Sequence, residues 1–255
     1  MCILFIAKGQ RKDYPLIIAA NRDEFNNRPT LPSHIWSSHP PIFAGKDLKA
    51  GGTWMGVTRS GRIAALTNIR KPDSEDSSAR SRGELVVNYL LNQGSDIQHQ
   101  QQLTQQASQY NGFNLLYGTW QNLYVFNNHS LQNEQLTDGV HGLSNATLNA
   151  PWPKVSRGVG AISEYCSSAK TVTEDRLFSL LKDSTVAPDD MLPDTGIDKA
   201  WEKRLSPIFI QSEEYGTRSS TLLLIKRDGS ASWFERTFDA SGKQVDQANA
   251  LFQFS

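Results

Sequence analysis

The chain has 255 residues, with 26 Lys plus Arg against 26 Asp plus Glu. A formal net charge of zero provides no long-range field toward nucleic acid or an anionic membrane, so a small molecule is the expected partner. A composition of 38% hydrophobic and 20% charged residues excludes a disordered or fibrous chain, and the length suits one domain spanning residues 1–255.

Apolar and β-branched runs at residues 3–7, 16–21, 53–58 and 63–67 predict strands, separated by Gly, Pro and charged punctuation. The first run is too short for a signal-peptide core or a membrane span, which implies a cytoplasmic chain without an integral membrane segment. Apolar residues at helical spacing predict helices over 84–92 and 97–110, the second with a Gln-rich solvated face. Strands return at 113–118, 123–127 and 139–143, and helices at 154–166 and 173–182. Residues 184–196, rich in Pro and Asp, read as an exposed loop or lid, and strands at 221–226 and 232–237 flank the turn at Asp228-Gly229. This order of strands and helices suits two sheets faced by helices.

Cys2 and Cys166 are the only cysteines, too few for a disulfide framework. Residue two is small enough for Met1 to be removed by an aminopeptidase, which would leave a thiol and a free α-amine on Cys2. An α-amine with an unperturbed pKa of about 7.7–8.0 accepts a thiol proton near neutrality and returns it to a leaving group. A small buried hydrophobe at a strand end is the plain alternative for Cys2.

The cluster Asn21-Arg22-Asp23-Glu24 closes an apolar strand and brings charge to the rim of a sheet. Strand alternation would put Asn21 and Asp23 on one face and Arg22 on the other. An Arg beside a thiol favours thiolate, and an Asp beside an α-amine orients it, whereas a solvated turn with a surface ion pair is the alternative. Asn68 and Asn145 each close an apolar run, where a neutral amide donor suits an oxyanion hole and a turn-favouring residue is equally expected. The glycines of Gly51-Gly52-Thr53-Trp54 allow a close backbone approach or a tight turn. The five His lack zinc-site spacing, so no metal or other cofactor is assigned. Ser144 imitates a nucleophile elbow, but Pro151 and Pro153 stand where the following helix would run.

Taken together, these stretches resemble the NRDE proteins, also called the transport and Golgi organisation protein two family. The shared segments are residues 1–3, 19–25 with Arg28-Pro29, 51–56, 64–68, 82–86, 110–115, 142–146 with Pro151-Trp152, and 215–218. The family is similar to N-terminal-nucleophile hydrolases with Cys at position two, such as the penicillin V and bile-salt acylases. That likeness implies an α+β four-layer αββα sandwich. It also implies Cys2 as nucleophile and base, Asp23 holding the amine, Asn68 and Asn145 shaping the oxyanion hole, and Arg218 supporting the thiol. Arg22 is adjacent to Asp23, so both cannot face the thiol from a regular strand. Cleavage of an amide or acyl bond in a small, partly apolar substrate is one implied function. Carriage of an apolar ligand, an acyl lipid or haem, is the other, since relatives are associated with membrane organisation, lipid metabolism and haem handling. A homo-oligomer is left open.

Overall fold

A computed structural model describes residues 2–254; the expected loss of Met1 lies outside the described residues. Its strands, in chain order, are β1 (Cys2–Lys8), β2 (Leu16–Phe25), β3 (Thr30–Ile35), β4 (Ile42–Asp47), β5 (Met55–Thr58), β6 (Arg62–Asn68), β7 (Phe113–Thr119), β8 (Leu123–Asn127), β9 (Gln132–Gln135), β10 (Gly139–Leu143), β11 (Tyr215–Ile225), β12 (Ser230–Phe238) and β13 (Gln244–Gln253). The α-helices are α1 (Gly83–Leu91), α2 (Asp96–Gln106), α3 (Pro153–Ser168), α4 (Glu174–Leu181) and α5 (Lys199–Arg204).

The strands form two antiparallel sheets, ordered β10-β1-β2-β11-β12-β13 and β3-β4-β5-β6-β7-β8-β9. Side-chain alternation explains their stacking. Leu4, Ile6, Ile18, Leu223 and Trp233 of the first sheet meet Met55, Val57, Ile63 and Leu116 of the second in an inner core. The opposite face of the first sheet, with Ile3, Phe5, Ile17 and Leu222, buries Val155, Ile162 and Phe178 of α3 and α4. The opposite face of the second packs against Val86, Tyr89, Leu90 and Leu103 of α1 and α2. Both sheets are therefore covered on both faces, which is why their central strands read as continuous apolar runs. The result is the αββα sandwich of the N-terminal-nucleophile type.

The predicted strands and helices all occur, with ends shifted by a few residues; β11 begins six residues before the run at 221–226. β3, β4, β9, β13 and the six-residue α5 lie outside the predicted elements. β3 contains Pro32, β9 is Gln-Asn-Glu-Gln with little burial, and β13 is largely exposed. All three are edge strands whose pairing supplies backbone hydrogen bonds without an apolar pattern to announce them. The segment read as a loop holds one 3-10 turn at Asp189–Met191. No helix among the described residues is long and apolar enough to cross a membrane.

Candidate functional site

Cys2 opens β1 and stands opposite Arg22 in the antiparallel register with β2. Both belong to the inner face, because Leu4 and Ala20, the next pair on that face, belong to the inner core. β2 runs on to Phe25, so the alternation expected of the Asn21–Glu24 cluster holds. Asn21 points to the helical layer, where its amide donates to the carbonyls of Leu181 and Ile208, both at 2.9 Å, and accepts from the Ser220 hydroxyl at 2.6 Å. It anchors α4 and the chain before β11 rather than lining the site. Asp23 stands one residue beyond the Cys2–Arg22 pair, and its Oδ1 accepts from the Thr217 hydroxyl at 2.7 Å.

These groups meet at a cavity of about 460 Å³ lined by Cys2, Arg22, Asp23, Trp54 and Asn68. Gly52 and Gly83 bring the far wall in. A Cβ on Gly52 would sit 2.5 Å from the Gly83 carbonyl carbon, so only glycine lets the start of α1 approach this closely. Arg28, Arg80 and Arg82 line the outer part. Arg28 pairs with Asp47 at 2.6 Å and Arg80 with Glu84 at 2.6 Å, while Arg82 donates to the Gly112 carbonyl at 3.1 Å. The Arg22 guanidinium stacks 4.2 Å from the Trp54 ring.

The two asparagines occupy different positions. Asn68 lines the cavity, and its side-chain amide makes no hydrogen bond to another described residue. Asn145 is buried behind it, donating through Nδ2 to the Asn68 carbonyl at 3.0 Å. Its Oδ1 accepts from Lys154 Nζ at 3.2 Å and lies 3.1 Å from the Ser144 hydroxyl, which also reaches the Cys2 carbonyl at 3.3 Å. Ser144 is thus a brace. Arg218 is the residue at which β11 bulges between Thr217 and Ser219, and its side chain lines a separate small cavity that shares Arg22 and Trp54 with the first. It donates to Asn26 Oδ1 at 3.3 Å and is absent from the lining around Cys2.

Three buried ionisable residues behind this wall escaped the sequence reading: Arg70, Lys154 and Glu202. Arg70 Nη1 bonds Glu202, which also accepts from the Thr195 amide at 3.1 Å. Burial brings the Lys154 amine down to about 7, with the Arg70 charge acting in the same direction. The only advance signal was Lys154 following Pro153 at the start of a helix, where a solvated lysine is the default expectation.

Sequence reasoning expects Arg22 or Arg218 to push the Cys2 thiol down. Instead burial pushes it up, and the Asp23 carboxylate adds to this, while Arg22 and the Asp23 backbone N–H only partly oppose it. Burial likewise raises the Cys166 thiol and the Asp23 carboxyl. Iodoacetamide is therefore expected to label Cys2 before Cys166, because Cys2 is half-buried beside a cavity and Cys166 only 6% exposed in the helical layer. Its rate should still be climbing above pH 8.5, the usual thiol value of about 8.5 being exceeded. Peptide mapping by mass spectrometry over a pH series reads both; a plateau below pH 7 contradicts the burial argument.

An αββα sandwich of two antiparallel sheets is the fold of the N-terminal-nucleophile hydrolases, and here Cys2 stands at the first residue of β1. Two mutant forms of conjugated bile acid hydrolase from Clostridium perfringens share that fold, with TM-scores of 0.52 and 0.53 at 9% and 10% identity, over 100% of this chain and 97% of theirs. The family model for Transport and Golgi organisation 2 matches residues 1–240, and the chain belongs to that family. Its relatives include the mouse and human transport and Golgi organization 2 homologs, each 33% identical over 93% of both chains. The Drosophila melanogaster protein of that name is 27% identical over 93% of this chain and 92% of its own.

Proposed function

We propose that the protein is an N-terminal-nucleophile hydrolase that cleaves an amide or related acyl bond in a small, partly apolar substrate. The observation that carries this reading is the Cys2 thiol at the wall of a cavity, opposite Arg22 and beside Asp23 and Asn68. Removal of Met1 frees the α-amine of Cys2. The thiol adds to the substrate carbonyl as the amine takes its proton, the carbonyl oxygen becomes an oxyanion, and the amine returns the proton to the departing nitrogen. Water then cleaves the thioester and restores the thiol. Asn68 offers an uncharged donor to the oxyanion, Asp23 orients the amine, and Arg22 favours the thiolate against the cost of burial.

The partly apolar substrate is supported by a second chamber of about 530 Å³ that shares Asn68, Arg28 and Arg82 with the first. Its other walls include Phe25, Ile197, Trp201, Leu205 and Tyr215. The same chamber supports a second reading, in which an apolar ligand such as an acyl lipid or haem is carried without turnover.

Two measurements test the proposal. Intact mass of protein made in a bacterial cytoplasm should lack Met1; full retention rules out the α-amine as base. Incubating a metabolite extract with wild type and Cys2→Ala, followed by untargeted mass spectrometry, should show acyl compounds consumed by wild type alone. Compounds retained equally by both proteins and consumed by neither favour the carrier.

A further inference from the structure

Behind Arg22 lies a cavity of about 40 Å³ between the sheets, lined by Arg22, Arg218, Ser219, Thr237, Glu235 and the start of β3. Four polar atoms in that lining are buried and have no hydrogen-bond partner among the described residues: Arg22 Nη1, Arg218 Nε, Ser219 Oγ and Thr237 Oγ1. Arg22 is 5% exposed and Ser219 4%. Buried guanidinium nitrogens are almost always paired, because a charged donor taken out of water without an acceptor loses its solvation and gains nothing in return.

The carboxylate in the lining does not satisfy them. Glu235 is already occupied by the Ser33 amide at 2.7 Å, the Ser33 hydroxyl at 2.9 Å and the Thr221 hydroxyl at 3.2 Å. Burial also pushes its carboxyl above the usual range. Arg22 and Arg218 form no ion pair with any described residue, and the Arg218 guanidinium is pulled down by burial and then by the Arg22 charge, with the Asp239 carboxylate opposing both. The lining therefore offers two cationic donors and two hydroxyls free to donate, and the carboxylate it contains already accepts three hydrogen bonds. One water would accept from two of the four and neutralise neither charge. The volume suits a single atom-sized guest and excludes phosphate or a carboxylate ligand of any length.

We infer that this cavity binds one monatomic anion of chloride size between Arg22 and Arg218, with the Ser219 and Thr237 hydroxyls donating to it. The site is coupled to the thiol, since Arg22 is the cross-strand partner of Cys2. An anion that offsets the Arg22 charge weakens its pull on the thiolate, so halide should slow Cys2 alkylation. The inference does not depend on hydrolysis, because both readouts work without a substrate.

Wild-type crystals soaked in bromide and measured at its absorption edge should show one anomalous peak between the two guanidinium groups. In solution, sodium chloride against sodium gluconate at equal ionic strength should slow iodoacetamide labelling of Cys2 by about threefold, and Arg218→Met should remove the difference. Thr237→Val, which keeps shape and charge, should weaken the chloride effect if Arg218→Met does not fold. Water density without an anomalous signal, or a Cys2 rate indifferent to the anion, overturns the inference and leaves the cavity hydrated.

Discussion

Glu202→Ala is expected to lower the stability of the protein by about 3–5 kcal/mol, far more than loss of a surface ion pair. The difference comes from what is left behind. Arg70 is only 9% exposed, its Nη1 bonds Glu202, and its next acceptor, Asn145 Oδ1, is 3.5 Å from Nη2. The Trp152 ring, 5.0 Å away, offers a cation–π contact that replaces only part of a carboxylate. Glu202 also holds Thr195, so its loss releases the segment carrying Ile197 and Trp201 over the apolar chamber. Replacing both partners by apolar residues, Arg70→Met with Glu202→Leu, removes the stranded charge and should recover most of the loss. Urea denaturation of the two variants beside wild type measures this. A double variant no more stable than Glu202→Ala would mean that the loss lies in the Thr195 contacts.

The layers of the fold could be read in the sequence because both sheets are covered twice. A strand buried on two faces is apolar at every position, as residues 3–7 and 16–20 are, and a helix on one face keeps a 3.6-residue period, as in residues 84–91. Edge strands carry no such pattern. β9 is entirely polar, and β13 buries little of its length, so only pairing with a neighbour makes them strands. The site was legible where it depends on the chain's own alternation, which put Arg22 and Asp23 on opposite faces. It was not legible where it depends on register between distant strands. The bulge at Arg218 turns that side chain away from the Cys2 cavity, and a bulge is set by the pairing of β2 with β11 rather than by local residue type. Lys154, Arg70 and Glu202 were hidden for a related reason. Charged residues read as solvated until partners from three separate segments are seen to close around them.

Asn68 and Asn145, which the sequence cast in the same role, are expected to fail differently when truncated. Asn68→Ala removes a side chain at the cavity wall that bonds no other described residue, so stability should change by less than about 0.5 kcal/mol. If its amide meets the oxyanion, turnover should fall by about 10²–10³ with little change in substrate affinity, because that donor acts in the transition state. Asn145→Ala acts on the framework. It strands Lys154, whose amine otherwise reaches, among the described residues, only the Leu205 carbonyl at 3.1 Å, and it frees the Asn68 backbone from its 3.0 Å bond. A stability loss of about 1–3 kcal/mol follows from the buried groups left unsatisfied, with turnover lost because Asn68 is no longer held. Asn145→Asp separates the two effects. It keeps the acceptor for Lys154 and Ser144 but gives up the donor to Asn68, so it should preserve more of the stability than of the turnover. Thermal melts beside kcat and KM on a substrate found by extract profiling decide the matter. Equal stability losses for Asn68→Ala and Asn145→Ala would show that Asn68 is part of the wall's structure, and the oxyanion assignment would fail.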